Sequence, residues 1–258
     1  MIETSRPLLL LSNDDGFQAK GIQCLIETLR PIADLIVVAP DGPRSGSSAA
    51  ITSVCPIQVK CLSNSDGLKL YCCSGTPTDC VKIALHAFVP RLPDMVIGGI
   101  NHGDNSSVNV HYSGTMGVVI EGCLKGIPSV GFSLCNHDAD ADFQPTYPYI
   151  RRIVEEVLEN GLPKGTCLNV NFPDTPNLKG VRVCRQTDGV WIQEYVPCNH
   201  PRGGSYFWLT GAYQNDEPGA TDTDHWALDH GYVAITPTKI DVTDYELKKQ
   251  IESWNLHV

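Results

Sequence analysis

Two adjacent carboxylates, Asp14 and Asp15, follow the run Leu8-Leu9-Leu10-Leu11-Ser12-Asn13, and Gly16 comes next. Like charges side by side repel, and each prefers hydration. A hard divalent cation takes carboxylate oxygens and relieves both problems. The alternative is a helix cap, in which one Asp accepts backbone N–H groups of the next helix. Further oxygen ligands decide between the two readings, and two later apolar runs end in loops that carry them. Ser45 lies in Pro40-Asp41-Gly42-Pro43-Arg44-Ser45-Gly46-Ser47-Ser48, whose composition otherwise suits a flexible surface loop. Asn101 lies in Gly98-Gly99-Ile100-Asn101-His102-Gly103-Asp104-Asn105. Two carboxylates, a hydroxyl and an amide carbonyl form an all-oxygen set. That set suits Mg²⁺ or Mn²⁺ with waters completing the shell, whereas structural zinc wants Cys or His. Ser113-Gly114-Thr115 then enters a helical pattern. The first N–H groups of a helix lack partners, so this entrance is a ready anion site, although an ordinary Ser or Thr cap is the commoner use of such residues. A cation beside an anion site is equipment for phosphoester hydrolysis.

The elements that position these residues read as alternating strands and helices. Residues 8–11 form a strand short enough to be buried on both faces. Ile22, Leu25, Ile26 and Leu29 recur at helical spacing over 21–29, and Pro31 stops the run. Residues 35–39 are the next strand, completing a βαβ unit that requires parallel pairing. Residues 57–61 and 68–73 flank Asn64-Ser65-Asp66-Gly67 as a hairpin. Thr76-Pro77 opens a helix to about residue 87. Residues 95–97 and 128–134 are further core strands, with a helix over 116–124 between them. Beyond these, a helix covers 149–158, stopped by Gly161. Residues 168–172 and 181–183 alternate like half-exposed strands. Strands at 190–196 and 206–209 suggest hairpins. A short helix covers 223–229, a strand 232–236 and a terminal helix 243–254. In an open parallel sheet the carboxyl ends of the strands share one edge, so Asp14, Asp15, Ser45 and Asn101 can meet in one crevice.

Composition narrows the classes. A chain of 258 residues with 42% hydrophobic content builds a real core. Its net charge of -10 argues against broad binding to nucleic acid backbones or anionic membranes. The eleven cysteines are odd in number, scattered and without a Cys-x-x-Cys pair, so most read as small buried hydrophobes. Met1-Ile2-Glu3-Thr4-Ser5-Arg6 carries no secretory signal, and no apolar run spans a bilayer. Reduced thiols and no export signal favour the cytoplasm.

Together the motifs resemble one family. Asn13-Asp14-Asp15-Gly16 is followed by Ala39-Pro40 with Arg44-Ser45-Gly46. Gly99-Ile100-Asn101 follows with Gly103 and Asn105, then Tyr112-Ser113-Gly114-Thr115 with Glu121-Gly122. Their order and spacing resemble the SurE family of metal-dependent 5′-nucleotidases. Gly131-Phe132-Ser133, Thr221-Asp222 and Gly231-Tyr232-Val233-Ala234-Ile235-Thr236-Pro237 resemble later family blocks. The resemblance implies hydrolysis of nucleoside monophosphates, with some members accepting 3′-nucleotides or short polyphosphate. It implies one divalent cation on Asp14, Asp15, Ser45 and Asn101, and phosphate contacts from Asn105, Ser113, Gly114 and Thr115. It also implies homodimers or homotetramers, often with exchanged C-terminal segments.

The expected architecture is a single α/β unit over 1–258, with a three-layer Rossmann-like, mostly parallel sheet, helices on both faces and added β-hairpins. Residues 1–135 form the core with the metal site. Residues 136–258 supply completing strands, hairpins and an extended C-terminal segment for self-association. The expected reaction is in-line attack of a metal-activated water on phosphate, with Asp14 and Asp15 as the catalytic pair. Asp104 is a candidate base or a solvent-facing carboxylate. His102 and His111 are candidate acids or simple hydrogen-bonding residues. Arg44 pairs with phosphate or with Asp41. Two other classes share the paired acids. A phospho-receiver signalling module expects a phosphoacceptor Asp after a later strand, where this chain has Asn101. A nucleoside hydrolase expects more aspartates after the first pair, and residues 17–20 contain none.

Overall fold

The computed structural model describes residues 6–256. The reading of Met1-Ile2-Glu3-Thr4-Ser5 as a start without a leader lies outside them. The first half runs β1 (Leu8–Ser12), α1 (Lys20–Leu29), β2 (Asp34–Pro40), β3 (Val59–Ser65), β4 (Leu68–Cys73) and α2 (Pro77–Ile83). It continues with β5 (Met95–His102), α3 (Gly114–Leu124) and β6 (Ser129–Leu134). The second half adds α4 (Tyr147–Asn160), β7 (Thr166–Phe172), β8 (Val181–Val183), β9 (Gly189–Ile192), β10 (Tyr195–Asn199), β11 (Ser205–Leu209) and β12 (Ala212–Asn215). It ends with α5 (Asp224–Asp229), β13 (Val233–Lys239) and α6 (Tyr245–Ile251). Among the described residues no helix is long and apolar enough to cross a membrane.

One nine-stranded sheet has the order β3-β4-β2-β1-β5-β6-β7-β13-β8. The six strands from β4 to β7 in that order are parallel, while β3 and β13 run against their neighbours β4 and β7. The leucine run shows why β1 is central. Leu9 and Leu11 pack with Ile22 and Leu25 of α1 and Val154 of α4. Leu8 and Leu10 pack on the other face, with Val81 of α2 and Val118 of α3. Each such leucine contributes about 1.5–3 kcal/mol over an exposed one. A strand sandwiched between two helical layers therefore has no polar face to alternate with.

From β1 the chain passes through α1 to β2 on one side. From β4 it crosses through α2 to β5 on the other side of β1. The strand order thus reverses at the β1/β5 seam, and crevices outside such seams are where open α/β sheets bind ligands. Asp14 and Asp15 follow β1 at that edge. Asn101 lies within the end of β5 rather than in a loop after it. The β5/β6 register shifts between Gly98 and Asn101, and an irregularity of this kind re-aims side chains at a strand end.

Several expectations on the second half change. Residues 168–172 do not alternate toward solvent: Asn169 and Asn171 are buried within β7. β9 pairs with β12 and β10 with β11, two antiparallel pairs nested in one hairpin arm. The terminal helix is shorter than the 243–254 pattern and buries none of its residues.

Candidate active site

Asp14 is only 5% exposed. It does not cap α1, which starts at Lys20 with Ala19 in the capping position. Its Oδ1 accepts the Thr115 hydroxyl at 2.6 Å, and its backbone carbonyl accepts the Arg44 N–H at 2.7 Å. Asp15 Oδ2 accepts the His102 N–H at 3.2 Å. Gly16, at φ 97°, lets the turn lie on the backbone of Gly42: a side-chain carbon there would sit 3.2 Å from Gly42. Gly114 is the matching allowance on α3, where a Cβ would lie 2.7 Å from both Asp14 Cβ and Ser47 Oγ. The acid pair therefore abuts the entrance of α3, with the loop after β2 as the third wall.

Positive charge is scarce here. Arg44 turns its guanidinium to Asp41 at 2.7 Å, which decides between its two expected partners. Burial is the largest influence on Asp14 and pushes its carboxyl up to about 6; the Thr115 hydroxyl pulls back and the Asp15 charge adds to the rise. Burial also raises Asp15, against the His102 N–H and the nearby His102 and His137 rings. Two more oxygens, Asn13 Oδ1 and Ser47 Oγ, are buried without hydrogen-bond partners. Among the described residues no three His, Cys, Asp or Glu side chains are placed to hold a metal ion between them. The donor set is thus two carboxylates supplemented by neutral oxygens, which fits a hard divalent cation and not zinc. Asn101 donates its amide to the Gly103 carbonyl at 2.8 Å, which leaves its Oδ1 free as a ligand. Ser45 is exposed and lines the same cavity as Asp14 and Asn101.

The phosphate side differs from the sequence expectation in its donors. Ser113 Oγ caps α3 by accepting the Met116 N–H at 3.0 Å, and the Thr115 hydroxyl is held by Asp14. Both side chains therefore have structural partners, which leaves backbone N–H groups as the turn's remaining donors. Asn105 is fixed from three directions. Its amide donates to Ser133 Oγ at 2.8 Å, its N–H donates to Asn171 Oδ1 at 2.7 Å, and its carbonyl accepts Asn169 Nδ2 at 2.7 Å. Asn169 and Asn171 escaped sequence reasoning because alternation in β7 imitates a solvent face.

Asp104 is half-buried and is bound by the Ser106 hydroxyl and N–H, so it is not a free solvent carboxylate. His102 turns Nδ1 to the Asp138 carbonyl at 2.9 Å and packs edge-on to Phe143. His111 is exposed and does not line the cavity, whereas His137, which follows β6 at the same sheet edge, does. The cavity measures about 420 Å³ and also takes Trp191 and Leu209 from the hairpin arm.

The two aspartates of the Thr-Asp-Thr-Asp stretch have different surroundings. Asp222 is exposed and pairs with Arg185 at 2.9 Å. Asp224 is the buried one. It accepts the N–H groups of Ser107 (2.9 Å), Thr187 (3.0 Å) and His225 (2.8 Å), and the Thr187 hydroxyl at 2.5 Å. It thereby ties the loop after β5 to the base of the hairpin arm. Asp94 sits at the amino end of β5, where it accepts the Leu8 N–H at 2.7 Å and pairs with Arg91. That is the opposite sheet edge from Asp14, so Asp94 cannot serve as a receiver-type phosphoacceptor beside the pair.

The family model described as "Survival protein SurE" matches residues 9–193. The chain belongs to the SurE family. A relative named "5'-nucleotidase SurE" from Phocaeicola vulgatus is 65% identical over 257 residues, covering 100% of both chains. Another of that name from Bacteroides thetaiotaomicron is 59% identical over 95% of this chain and 94% of its own. The crystal structure of a SurE protein from Aquifex aeolicus superposes with a TM-score of 0.82 at 33% identity, covering 95% of this chain and 98% of that one. Asp14, Ser45, Gly46, Asn101, Gly103, Asn105, Tyr112 and Ser113 of the SurE motifs line one cavity.

The raised Asp14 pKa sets the sign of a pH effect. A carboxyl whose folded pKa lies above its ordinary 3.8 stabilises the cation-free SurE fold at low pH, and that contribution is lost as pH rises through about 6. A divalent cation competes with the proton for the same oxygens. Mn²⁺ is expected to raise the melting temperature more at about pH 7.5 than at about pH 5.5, as calorimetry would show. Equal shifts at both pH values would remove the cation from this pair.

Proposed function

We propose that this chain is a 5′-nucleotidase that converts nucleoside monophosphates to nucleoside and phosphate. We assign Asp14, Asp15, Ser45 and Asn101 to one divalent cation, Mg²⁺ or Mn²⁺. The observation that carries this reading is a buried, cation-poor carboxylate pair pressed against the entrance of α3. A cation bound there supplies Lewis acidity at a phosphoryl oxygen and an activated water nucleophile. The chain's own residues do the rest. Thr115 and the His102 N–H hold the two carboxylates in fixed orientations, so no reorganisation is needed as charge develops. The N–H groups of the Ser113-Gly114-Thr115 turn and the Asn105 amide face the phosphate and stabilise its non-bridging oxygens. Asn105 holds its place because three hydrogen bonds from β6 and β7 remove its freedom. Trp191 and Leu209 extend the same cavity, so residues 136–258 complete the site begun by 1–135 and the two parts act as one unit.

A phosphate-release screen over 5′- and 3′-nucleotides and short polyphosphate, with Mg²⁺, Mn²⁺ and chelator arms, tests the reading. Metal-dependent phosphate release from 5′-nucleotides is expected. Free base in place of phosphate would point to the nucleoside hydrolase class and overturn it.

Self-association as a dimer or tetramer belongs to the same proposal. Tyr245, Leu247 and Trp254 are exposed on and beside α6, and Phe207, Trp208 and Leu209 on the hairpin arm. Exposed apolar surface of this kind marks an interface. Light scattering of a chain ending before Asp241 is expected to report a smaller assembly; an unchanged one counts against α6. The eleven unpaired cysteines fit a reducing compartment, the cytoplasm, which cell fractionation would check.

A further inference from the structure

The acid pair and the α3 entrance account for a cation and a phosphate, and leave the nucleoside without a partner. The outer part of the cavity differs in chemistry from its floor. Trp191 reaches in from β9, and Tyr112 stands just before α3. We propose that the indole of Trp191 is the stacking surface for the nucleobase, with Tyr112 flanking it; this deepens, and rests on, the nucleotidase reading.

Three observations support the assignment. The indole is held in place: its Nε1–H donates to Asn109 Oδ1 at 2.7 Å, and its ring meets Tyr213 edge-on, with centroids 6.0 Å apart and an interplanar angle of 70°. Its only polar handle is thereby used, so Trp191 has a π face and no hydrogen bond to offer a ligand. The second observation is the support behind it. The Tyr213 hydroxyl shares a 2.6 Å hydrogen bond with Ser107 Oγ, in the loop that follows the phosphate-facing Asn105. The distance between the aromatic wall and the phosphate site is therefore fixed by one short loop rather than left to a mobile arm. The third is Tyr112, a 56% exposed aromatic that lines the same cavity beside Ser113.

An oxygen-rich floor and an aromatic wall select a ligand that is anionic at one end and flat and apolar at the other. A cavity of about 420 Å³ lies within the range of about 300–1,000 Å³ typical of small-molecule sites. Stacking is tolerant of base identity, because every base has a π face. The structure thus assigns Trp191 to discrimination between nucleotides and base-free phosphates, not between one base and another.

The test compares adenosine 5′-monophosphate with ribose 5-phosphate in the Mn²⁺-loaded wild-type chain, Trp191→Leu and Trp191→Phe. Wild type is expected to favour the nucleotide. In Trp191→Leu the ratio of the two kcat/KM values falls about tenfold, the equivalent of about 1.4 kcal/mol of stacking, with the change carried by the nucleotide's KM. Trp191→Phe keeps a π face without the N–H and retains most of the ratio. If Trp191→Leu lowers kcat/KM equally for both substrates, the residue only supports the arm and the proposal is overturned. If Trp191→Phe loses the ratio as fully as Trp191→Leu, the Asn109 hydrogen bond and not the face is responsible, which also overturns it. A wild-type chain that releases phosphate from neither compound overturns the nucleotidase reading and this inference with it. Wild-type activity that does not favour the nucleotide over ribose 5-phosphate overturns this inference alone.

Discussion

Asp15→Asn is expected to lower kcat/KM for metal-dependent phosphate release by about a thousandfold or more, a loss of about 4 kcal/mol of transition-state stabilisation. The substitution conserves shape and keeps an oxygen that can accept the His102 N–H. What it removes is half of the negative charge of the acid pair that attracts a dication. The cation-free fold gains rather than loses. Burial already raises Asp15 and its charge helps raise Asp14, so a neutral amide relieves repulsion between the two. Activity and stability therefore move in opposite directions, a pattern that a merely structural Asp15 would not produce. Steady-state kinetics and a melting curve without cation report the two quantities separately. Activity near wild type would dismiss the assignment of Asp15 to the cation.

The second large effect concerns stability. Asp224→Ala is expected to destabilise the fold by about 3–5 kcal/mol, because two buried N–H groups and one hydroxyl lose their acceptor together. For a chain of this length that lowers the melting temperature by roughly 10 °C. Asp222→Ala is the internal control. Its exposed pairing with Arg185 is worth at most about 1 kcal/mol. Thermal unfolding of both variants decides the matter, and equal losses would show that the Asp224 network does not hold the structure. The Asp224 variant should also weaken activity, because the Ser107 N–H it anchors lies two residues from Asn105 and the Thr187 it anchors begins the arm that carries Trp191.

The first half of the chain was legible because its signals are local. Four leucines in a row fit only a strand covered on both sides, and Leu8 to Leu11 alternate between the α2/α3 layer and the α1/α4 layer. Turn formers after each apolar run place the polar loops at strand ends, and parallel topology then brings those ends to one edge. Asp14, Asp15, Ser45 and Asn101 are therefore legible together in the sequence, and the family resemblance adds Asn105, Ser113, Gly114 and Thr115; all but Asp15, Gly114 and Thr115 are found among the residues lining one cavity. Asp15 is joined to it through the His102 N–H.

What only the tertiary structure decided is which atoms are left free. Ser113 and Thr115 read alike as hydroxyls at a helix entrance. The fold turned Ser113 into the cap of α3 and Thr115 into a support for the Asp14 carboxylate, leaving backbone N–H groups as the turn's remaining donors. Arg44 had two possible partners, and the path of the loop chose Asp41. The Thr-Asp-Thr-Asp stretch offers two equivalent aspartates, and only the fold shows that Asp224 is buried and Asp222 exposed. Alternating Asn169 and Asn171 imitate a solvent-facing strand, because a polar side chain satisfied inside a protein leaves the same sequence pattern as one satisfied by water. Trp191 is the extreme instance: residues far apart in sequence set its plane, through Asn109 and Tyr213. Local pattern determines which elements form and where they end. The direction in which a donor, an acceptor or an aromatic face points depends on partners from other elements, and those exist only once the chain has folded.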